Sequence, residues 1–293
     1  MLQGLIYAII SATAFGSMAV LVKLGYDAGM DGAVMMQIRF TCGALILGAI
    51  LFLKDRSLLR ISRSGMLHCA ILGLVVYWLQ TTCFVRALAT IPASTTALVL
   101  YGHPVAVALL SRLFLDMRID RTVVLSLTLV MSGCCLVFYD AFLREVEASG
   151  LLYAFGAMAF FSGYLILVQI WLKGLRPLTA TFWVMVFAAV AFTISGDVTA
   201  WLRPTQATVA IGLALGLVPG VIAVSLLYLA IERIGSSWAC IFSSIEPVVT
   251  LILAALVLGE PVVPLQVGGA ALIVLGIVIP NARLAMLGKR ART

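Results

Sequence analysis

Charge is what this chain has least of. Only 11% of its 293 residues are Asp, Glu, Lys or Arg, against 63% hydrophobic, and the mean hydropathy is +1.17. A soluble domain needs about 25% charge to keep its surface wet, so a soluble globular fold is excluded. Histidine is nearly absent, with His68 and His103 alone, and there is no HExxH, no CxxC pair and no GxSxG. A metalloenzyme or hydrolase would have few groups to work with, so neither catalytic residues, nor a metal, nor a cofactor is expected. No P-loop is present, which argues against a pump driven directly by ATP. The six cysteines all lie inside apolar stretches. They read as small buried hydrophobes, because a disulfide framework is not built at membrane depth. The opening residues, MLQGLIYAII, lack the basic region of a cleavable signal, so the first apolar run reads as a retained span.

What the chain does have is apolar runs of spanning length, punctuated by charge, Gly or Pro. They fall near 4–24, 33–53, 65–86, 92–114, 122–139, 150–172, 179–201, 207–231, 236–258 and 264–282. These runs are apolar all round, whereas strands of a membrane barrel alternate in segments of about ten residues. The expected fold is an all-α polytopic membrane protein with ten transmembrane helices. Lys54, Arg56, Arg60, Arg63, Arg112, Arg118, Arg121, Lys173, Arg176, Arg233, Arg283, Lys289, Arg290 and Arg292 place 14 of 19 basic residues on one face. The other face carries Lys23, Arg39, Arg86, Arg144 and Arg203 with acidic Asp27, Asp31, Asp140, Glu145, Glu147, Asp197 and Glu260. By the positive-inside rule both termini are cytoplasmic. The net charge of +7 is accounted for by this asymmetry, so nucleic acid is not an expected partner.

Shifting the chain by 143 residues aligns Ala87 to Val137 with Ala230 to Pro280 without a gap, and 11 of the 51 pairs are identical. Ile91 meets Ile234, Ser94 meets Ser237, Pro104 meets Pro247 and Gly133 meets Gly276; the Pro and Gly matches are the least easily accidental in an apolar chain. A weaker echo at a shift of about 146 relates Phe15 and Gly16 to Phe161 and Ser162. The repeat unit holds five helices, and an odd number turns the second copy upside down. The expected organisation is a five-helix repeat over residues 1–141, an inverted one over 150–285, and a basic cytoplasmic tail over 286–293. Inverted repeats are the architecture of secondary transporters, with the substrate site at the midplane between the halves.

The stretch from Leu100 through Tyr101, Gly102, His103, Pro104 and Val105 resembles the fourth-helix signature of the EamA family in the drug/metabolite transporter superfamily. Ile245, Glu246, Pro247 and Val248, running on to Gly259 and Glu260, are similar to its ninth-helix signature. Phe15, Gly16 and Ser17 in the first span, and Arg39 and Phe40 opening the second, extend the likeness over essentially the whole chain. Leu115 and Asp116 depart from the Gly-Glu that usually closes the pattern. The resemblance implies a ten-helix carrier of small metabolites in a bacterial inner membrane, often an exporter, with a central cavity between two five-helix halves and cargo ranging from amino acids to nucleotide-linked sugars.

Candidate transport residues follow from what a bilayer penalises. An ionised carboxylate at Glu246, halfway along the ninth span, costs about 2.5 to 3.5 kcal/mol, so it must face a partner or water. Ser243 and Thr250 lie at i−3 and i+4 from it, continuing a polar stripe. His103 is its repeat-mate and also precedes a proline; together they could share a proton or divide the two ends of a substrate. Pro104, Pro219 and Pro247 each remove a mid-span backbone hydrogen bond and are candidate hinges, or static kinks. Tyr77, Gln80, Thr81 and Phe84 share a face of the third span with Trp78 beside them. Tyr101 precedes His103, and Tyr153, Phe160 and Tyr164 share a face of the sixth. The candidate lining therefore includes Tyr77, Trp78, Gln80, Tyr101 and Tyr164. Lys23, Arg39, Arg86 and Trp201 lie near span ends and read as interface anchors. Gly212, Gly216 and Gly220 read as intramolecular packing more than as a dimer face, leaving monomer or homodimer open.

The expected function is export of a small polar or amphiphilic metabolite, such as an amino acid or amine, by alternating access. Its coupling is open between protons and none. A membrane-embedded lipid-modifying enzyme is the competing class; it would need polar catalytic residues at the cytoplasmic interface, where the short loops offer mostly Lys and Arg.

Overall fold

A computed structural model describes residues 2–139, 143, 145–196 and 205–290, and these form helices joined by short turns, with no strand among the described residues. Asp140, Arg144, Asp197, Trp201, Arg203 and Arg292, used above to orient or anchor the chain, lie outside them.

Helices α1 (Leu2–Asp27) and α2 (Gly32–Lys54) run unbroken. Helix α3 (Arg63–Ile71) passes through a π-turn at Leu72–Tyr77 into α4 (Trp78–Thr90). Then come α5 (Ala93–Leu100), α6 (His103–Phe114), α7 (Arg121–Val137), α8 (Ala148–Trp171) and α9 (Pro177–Ser195). Helix α10 (Gln206–Leu215) passes through a second π-turn at Gly216–Ile222 into α11 (Ala223–Ser243), followed by α12 (Glu246–Leu258) and α13 (Pro264–Arg290). Among the described residues seven helical segments are long and apolar enough to cross a membrane, the longest being Gln206–Ser243; Arg121–Val137, Glu246–Leu258 and Pro264–Ile279 are shorter apolar helices. Leu53, Ile194, Leu256 and Leu152 are among the exposed large side chains, as in a protein whose outer surface meets lipid.

Local chemistry sets the breaks. Asp31, Ser62 and Asp120 accept from backbone N–H groups in the first turns of α2, α3 and α7, which satisfies donors that a helix start leaves orphaned. In the turn after α2, the Ser57 hydroxyl and N–H both donate to the Asp55 carboxyl, at 2.6 and 2.8 Å, and hold it below the usual carboxylate range.

Two apolar segments differ from the continuous spans expected over 92–114 and 236–258. The first is interrupted at Tyr101 and Gly102, the second at Ser244 and Ile245, so that His103 and Glu246 each begin a new helix with a proline in its first turn. A proline ring collides with the carbonyl four residues back, and the chain ends one helix and starts another rather than bending through the clash. Pro104 and Pro247 therefore occupy first-turn positions, where no intrahelical bond is lost, instead of mid-helix ones. The spans expected to part near 232–235 do so at Gly235, whose φ of 80° and ψ of 162° are not helical and divide α11 into two helical segments.

Segments 143 residues apart exchange partners. A Cβ on Gly133 in α7 would meet Gly269 O at 2.6 Å and Ile273 N at 2.9 Å in α13, while one on Gly276 in α13 would meet Ser126 O and Val130 Cγ2 in α7, both at 3.0 Å. Ser126 Oγ donates to Gly276 O at 2.7 Å. Residue numbers rise along one helix as they fall along the other, so α7 and α13 pack antiparallel through small residues. Helices α2 and α9 do the same, with Gly43 against Met185 and Gly48 against Phe182. Gly212 and Gly216 are filled by Ile38, Cys42 and Gly43, so the glycine spacing in α10 serves packing within the chain. Gly133→Ala puts its Cβ against backbone that cannot give way. It should cost about 1–3 kcal/mol, the usual range for overpacking, and lower the thermal midpoint of the detergent-solubilised protein. Gly163→Ala, which meets nothing within 4 Å, should leave the midpoint in place.

Candidate functional site

The two proline-forced breaks bring helix ends into the middle of the bundle, and the site is built around them. At the first, Pro104 has no N–H to give to Leu100 O, and His103 Nδ1 takes that carbonyl instead at 2.9 Å. The imidazole is 5% exposed and meets the Phe161 ring edge-on, with centroids 5.0 Å apart. At the second break, Glu246 keeps part of its surface accessible while Pro247 and Val248 are buried. Its carboxyl lies within side-chain hydrogen-bonding reach of the Tyr101 hydroxyl, which also reaches Thr250. Thr250 Oγ1 donates to Gly16 O at 3.1 Å, and a Cβ on Gly16 would meet Glu246 O at 3.1 Å. Gly16 thus lies beside Glu246, and Phe161 beside His103.

Tyr101 connects the two breaks, with its ring 6.3 Å from His103 and stacked on Phe138 at 5.6 Å. From His103 a run of rings crosses the bundle through Phe161, Tyr164, Tyr77 and Phe40 to Phe192, each centroid 5.0–6.4 Å from the next. The Tyr164 and Tyr228 hydroxyls share a hydrogen bond in this wall. Of the residues singled out from the sequence, Glu246, His103, Thr250, Tyr77, Tyr101 and Tyr164 are gathered here. Trp78 is not: its indole N–H donates to Ser195 Oγ at 3.0 Å at the end of α9. Gln80 accepts from its neighbour Thr81 at 3.2 Å. Ser243 ends α11 before the break, so the expected continuous stripe from Ser243 through Glu246 to Thr250 is interrupted, and its Oγ is buried with no hydrogen-bond partner. Pro219 sits inside the second π-turn.

Arg39 is misplaced by the sequence argument. Instead of anchoring at an interface it is 2% exposed. Its Nη2 donates to Pro219 O at 2.9 Å, its Nη1 meets the Met18 sulfur at 3.2 Å, and its Nε has no partner. The guanidinium lies over the Phe40 and Phe15 rings at 5.1 and 6.0 Å and acts on Glu246 through space. Among the described residues the ion pair present is Lys23–Glu260 at 2.5 Å, so Arg39 and the Glu246 carboxyl share one interior without a salt bridge between them. Its place in the chain held the missed signal: Arg39 follows the helix start by seven residues, about 10 Å of rise, which is too deep for an interface. Such a site can bind a charged or dipolar solute and can take up a proton at Glu246. Among the described residues no three His, Cys, Asp or Glu side chains gather as a metal site would require.

A sequence model of the EamA-like transporter family matches residues 2–139 and again 148–281. The chain is 26% identical over 194 residues to an uncharacterized transporter, YwfM, of Bacillus subtilis (strain 168), and the match spans 64% of each chain. A solved structure described only as a protein crystal structure superposes with a TM-score of 0.82 over 99% of both chains. At 16% identity that likeness concerns the fold alone.

Proposed function

Because the chain belongs to the EamA-like transporter family and so is a multi-pass membrane transporter, we propose that it is a secondary transporter that exports a small polar or amphiphilic metabolite, such as an amino acid or amine. Transport proceeds by alternating access across a bacterial inner membrane, with protons exchanged at Glu246. The carrying observation is Glu246 at a helix break in the bundle interior, facing Tyr101 and Thr250 and under the charge of Arg39 without being neutralised by it. A carboxyl group held there is costly unless it is used.

Two five-helix repeats, 1–141 and 150–285, of opposite orientation supply the alternating motion. Partner exchange between Gly133 and Gly276 is what a two-fold axis produces, and helices that are repeat-mates, α7 with α13 and α2 with α9, pack antiparallel, as inversion requires. Both π-turns and both proline breaks recur at matching places in the halves. Breaks of this kind let part of a helix rock without unfolding the rest. With basic residues concentrated between α2 and α3, between α6 and α7 and in the tail over 286–293, both termini face the cytoplasm. His103, its Nδ1 held on Leu100 O, packs against Tyr101 and Phe161.

Purified protein in liposomes, tested with a panel of labelled amino acids and amines, should show flux of at least one compound above protein-free vesicles, accelerated when a pH gradient opposes it. Flux indifferent to the gradient would replace proton exchange by facilitated diffusion. No flux of any amino acid or amine would remove that cargo class.

A further inference from the structure

A cavity of about 230 Å³ opens at the bundle end where α6 and α8 finish and α11 kinks at Gly235, separated from Glu246 by the helical segment Ser236 to Ser243 and on the cytoplasmic side in the orientation proposed above. Its polar lining is Ser111, Gln169, Ser236 and Ser237, and its apolar walls include Leu115, Ile234 and Trp238. No charged side chain lines it. The geometry points to a second binding site in this cavity, one that receives the carboxylate of a small organic acid with an apolar body and serves as an entry station for transported solute.

Three observations lead there. Gly235 at φ 80° stops the helix, so the eight residues from Ser236 to Ser243 restart one, and the first N–H groups of that restart have no carbonyl a turn behind them. Gln169 Oε1 takes one of these donors, the Ser236 N–H, at 2.6 Å. The others, with the positive end of the helix dipole, favour an anion. Second, the Ser237 hydroxyl lines the same cavity, is 3% exposed and has no hydrogen-bond partner. A buried hydroxyl left unpaired is unfavourable, and a carboxylate oxygen would accept its hydrogen bond. Beside it, Ser111 and Ser236 share only a long contact of 3.4 Å, leaving both hydroxyls able to turn to a ligand. Third, the repeat-mates of Ser236 and Ser111 are Ala93 and Ala254, while that of Ser237 is Ser94, so two of the three hydroxyls are not dictated by the packing that the two halves share.

The site rests on the transporter reading for its use but not for its existence, and it is tested without transport. Trp238 forms a wall, so benzoate and its neutral isostere benzamide are titrated against the detergent-solubilised protein while tryptophan emission is followed. Benzoate should give a saturable change that benzamide does not, and Trp238→Phe should abolish it although the other four tryptophans remain. Ser237→Ala and Gln169→Leu, each made alone in case one perturbs folding, should weaken benzoate about tenfold or more, the worth of a hydrogen bond to a charged group. Equal responses to benzoate and benzamide, or a benzoate response untouched in both variants, would overturn the site. Failure of the liposome panel would leave benzoate binding standing, and failure of benzoate binding would leave the panel standing.

Discussion

Glu246→Gln is expected to insert and fold normally, yet lose most transport, tenfold or more by the order of magnitude of a lost charge-assisted contact. Gln keeps the size of the side chain and can still accept from Tyr101, but it cannot titrate or hold an ammonium group. The pH dependence of the residual transport should therefore flatten between about pH 6 and 8. A purely structural carboxyl, bonded between helices as glue, makes the opposite forecast: near-normal transport for Gln and a folding defect for Glu246→Leu, which also discards the hydrogen bond. Transport by Glu246→Gln within about twofold of wild type across that range would remove Glu246 from the mechanism. The transporter assignment would still stand, because it rests on the family match over both halves of the chain.

The membrane character of the fold was legible because a bilayer imposes one rule on every residue of a span, and apolar runs report it directly. The pairs at a shift of 143 residues that carry structural meaning fall where backbone geometry leaves a mark: Pro104 with Pro247, where two helices had to be broken, and Gly133 with Gly276, where two helices touch. Positions defined only by what they face were not legible. Gln80 shares helical spacing with Tyr77 and Trp78 lies beside it, yet of the three Tyr77 alone joins the aromatic wall, since Trp78 reaches Ser195 at the end of α9 and Gln80 pairs with its neighbour Thr81. Phe40, Phe138, Phe192 and Tyr228 join that wall through contacts between helices far apart in sequence, and spacing along one helix cannot register those. Arg39 was misread for a different reason. Its neighbours supply two thioethers and a carbonyl from another helix, a lining that makes a deep cation tolerable but has no signature in local sequence.

Two glycines should decide which end of the transporter opens. At one end a Cβ on Gly4 would meet Ile234 Cγ2 at 2.6 Å and Arg233 Cβ at 3.0 Å; at the other, a Cβ on Gly150 would meet Ile91 Cγ2 at 2.3 Å and Thr90 Oγ1 at 2.4 Å. Gly4 and Gly150 stand 146 residues apart, and Ile91 and Ile234 are repeat-mates, so this is one clasp built twice, once at each end. Both clasps are in contact in this structure. Ile is stiff at χ1 and cannot swing its Cγ2 aside, so a larger residue at either glycine must push its own end apart. Arg233 bonded to Gln3 reinforces the first end and Lys23–Glu260 the second. The latter is an exposed pair worth little, and the glycine contact dominates. Overpacking of about 1–3 kcal/mol applied to one end only should shift the open population at that end by roughly fivefold to a hundredfold. The readout is a single cysteine at Ser94→Cys or its repeat-mate Ser237→Cys, in a background without the six native cysteines, reacted with a thiol reagent that cannot cross the membrane. Gly150→Val should speed labelling of the cysteine at 94 from outside intact cells and slow that at 237 in inside-out vesicles; Gly4→Val should do the reverse. Labelling at 94 from the cytoplasmic side would invert the orientation. Both substitutions speeding both sites, or neither moving either, would mean that the clasps hold static helices together and do not govern access.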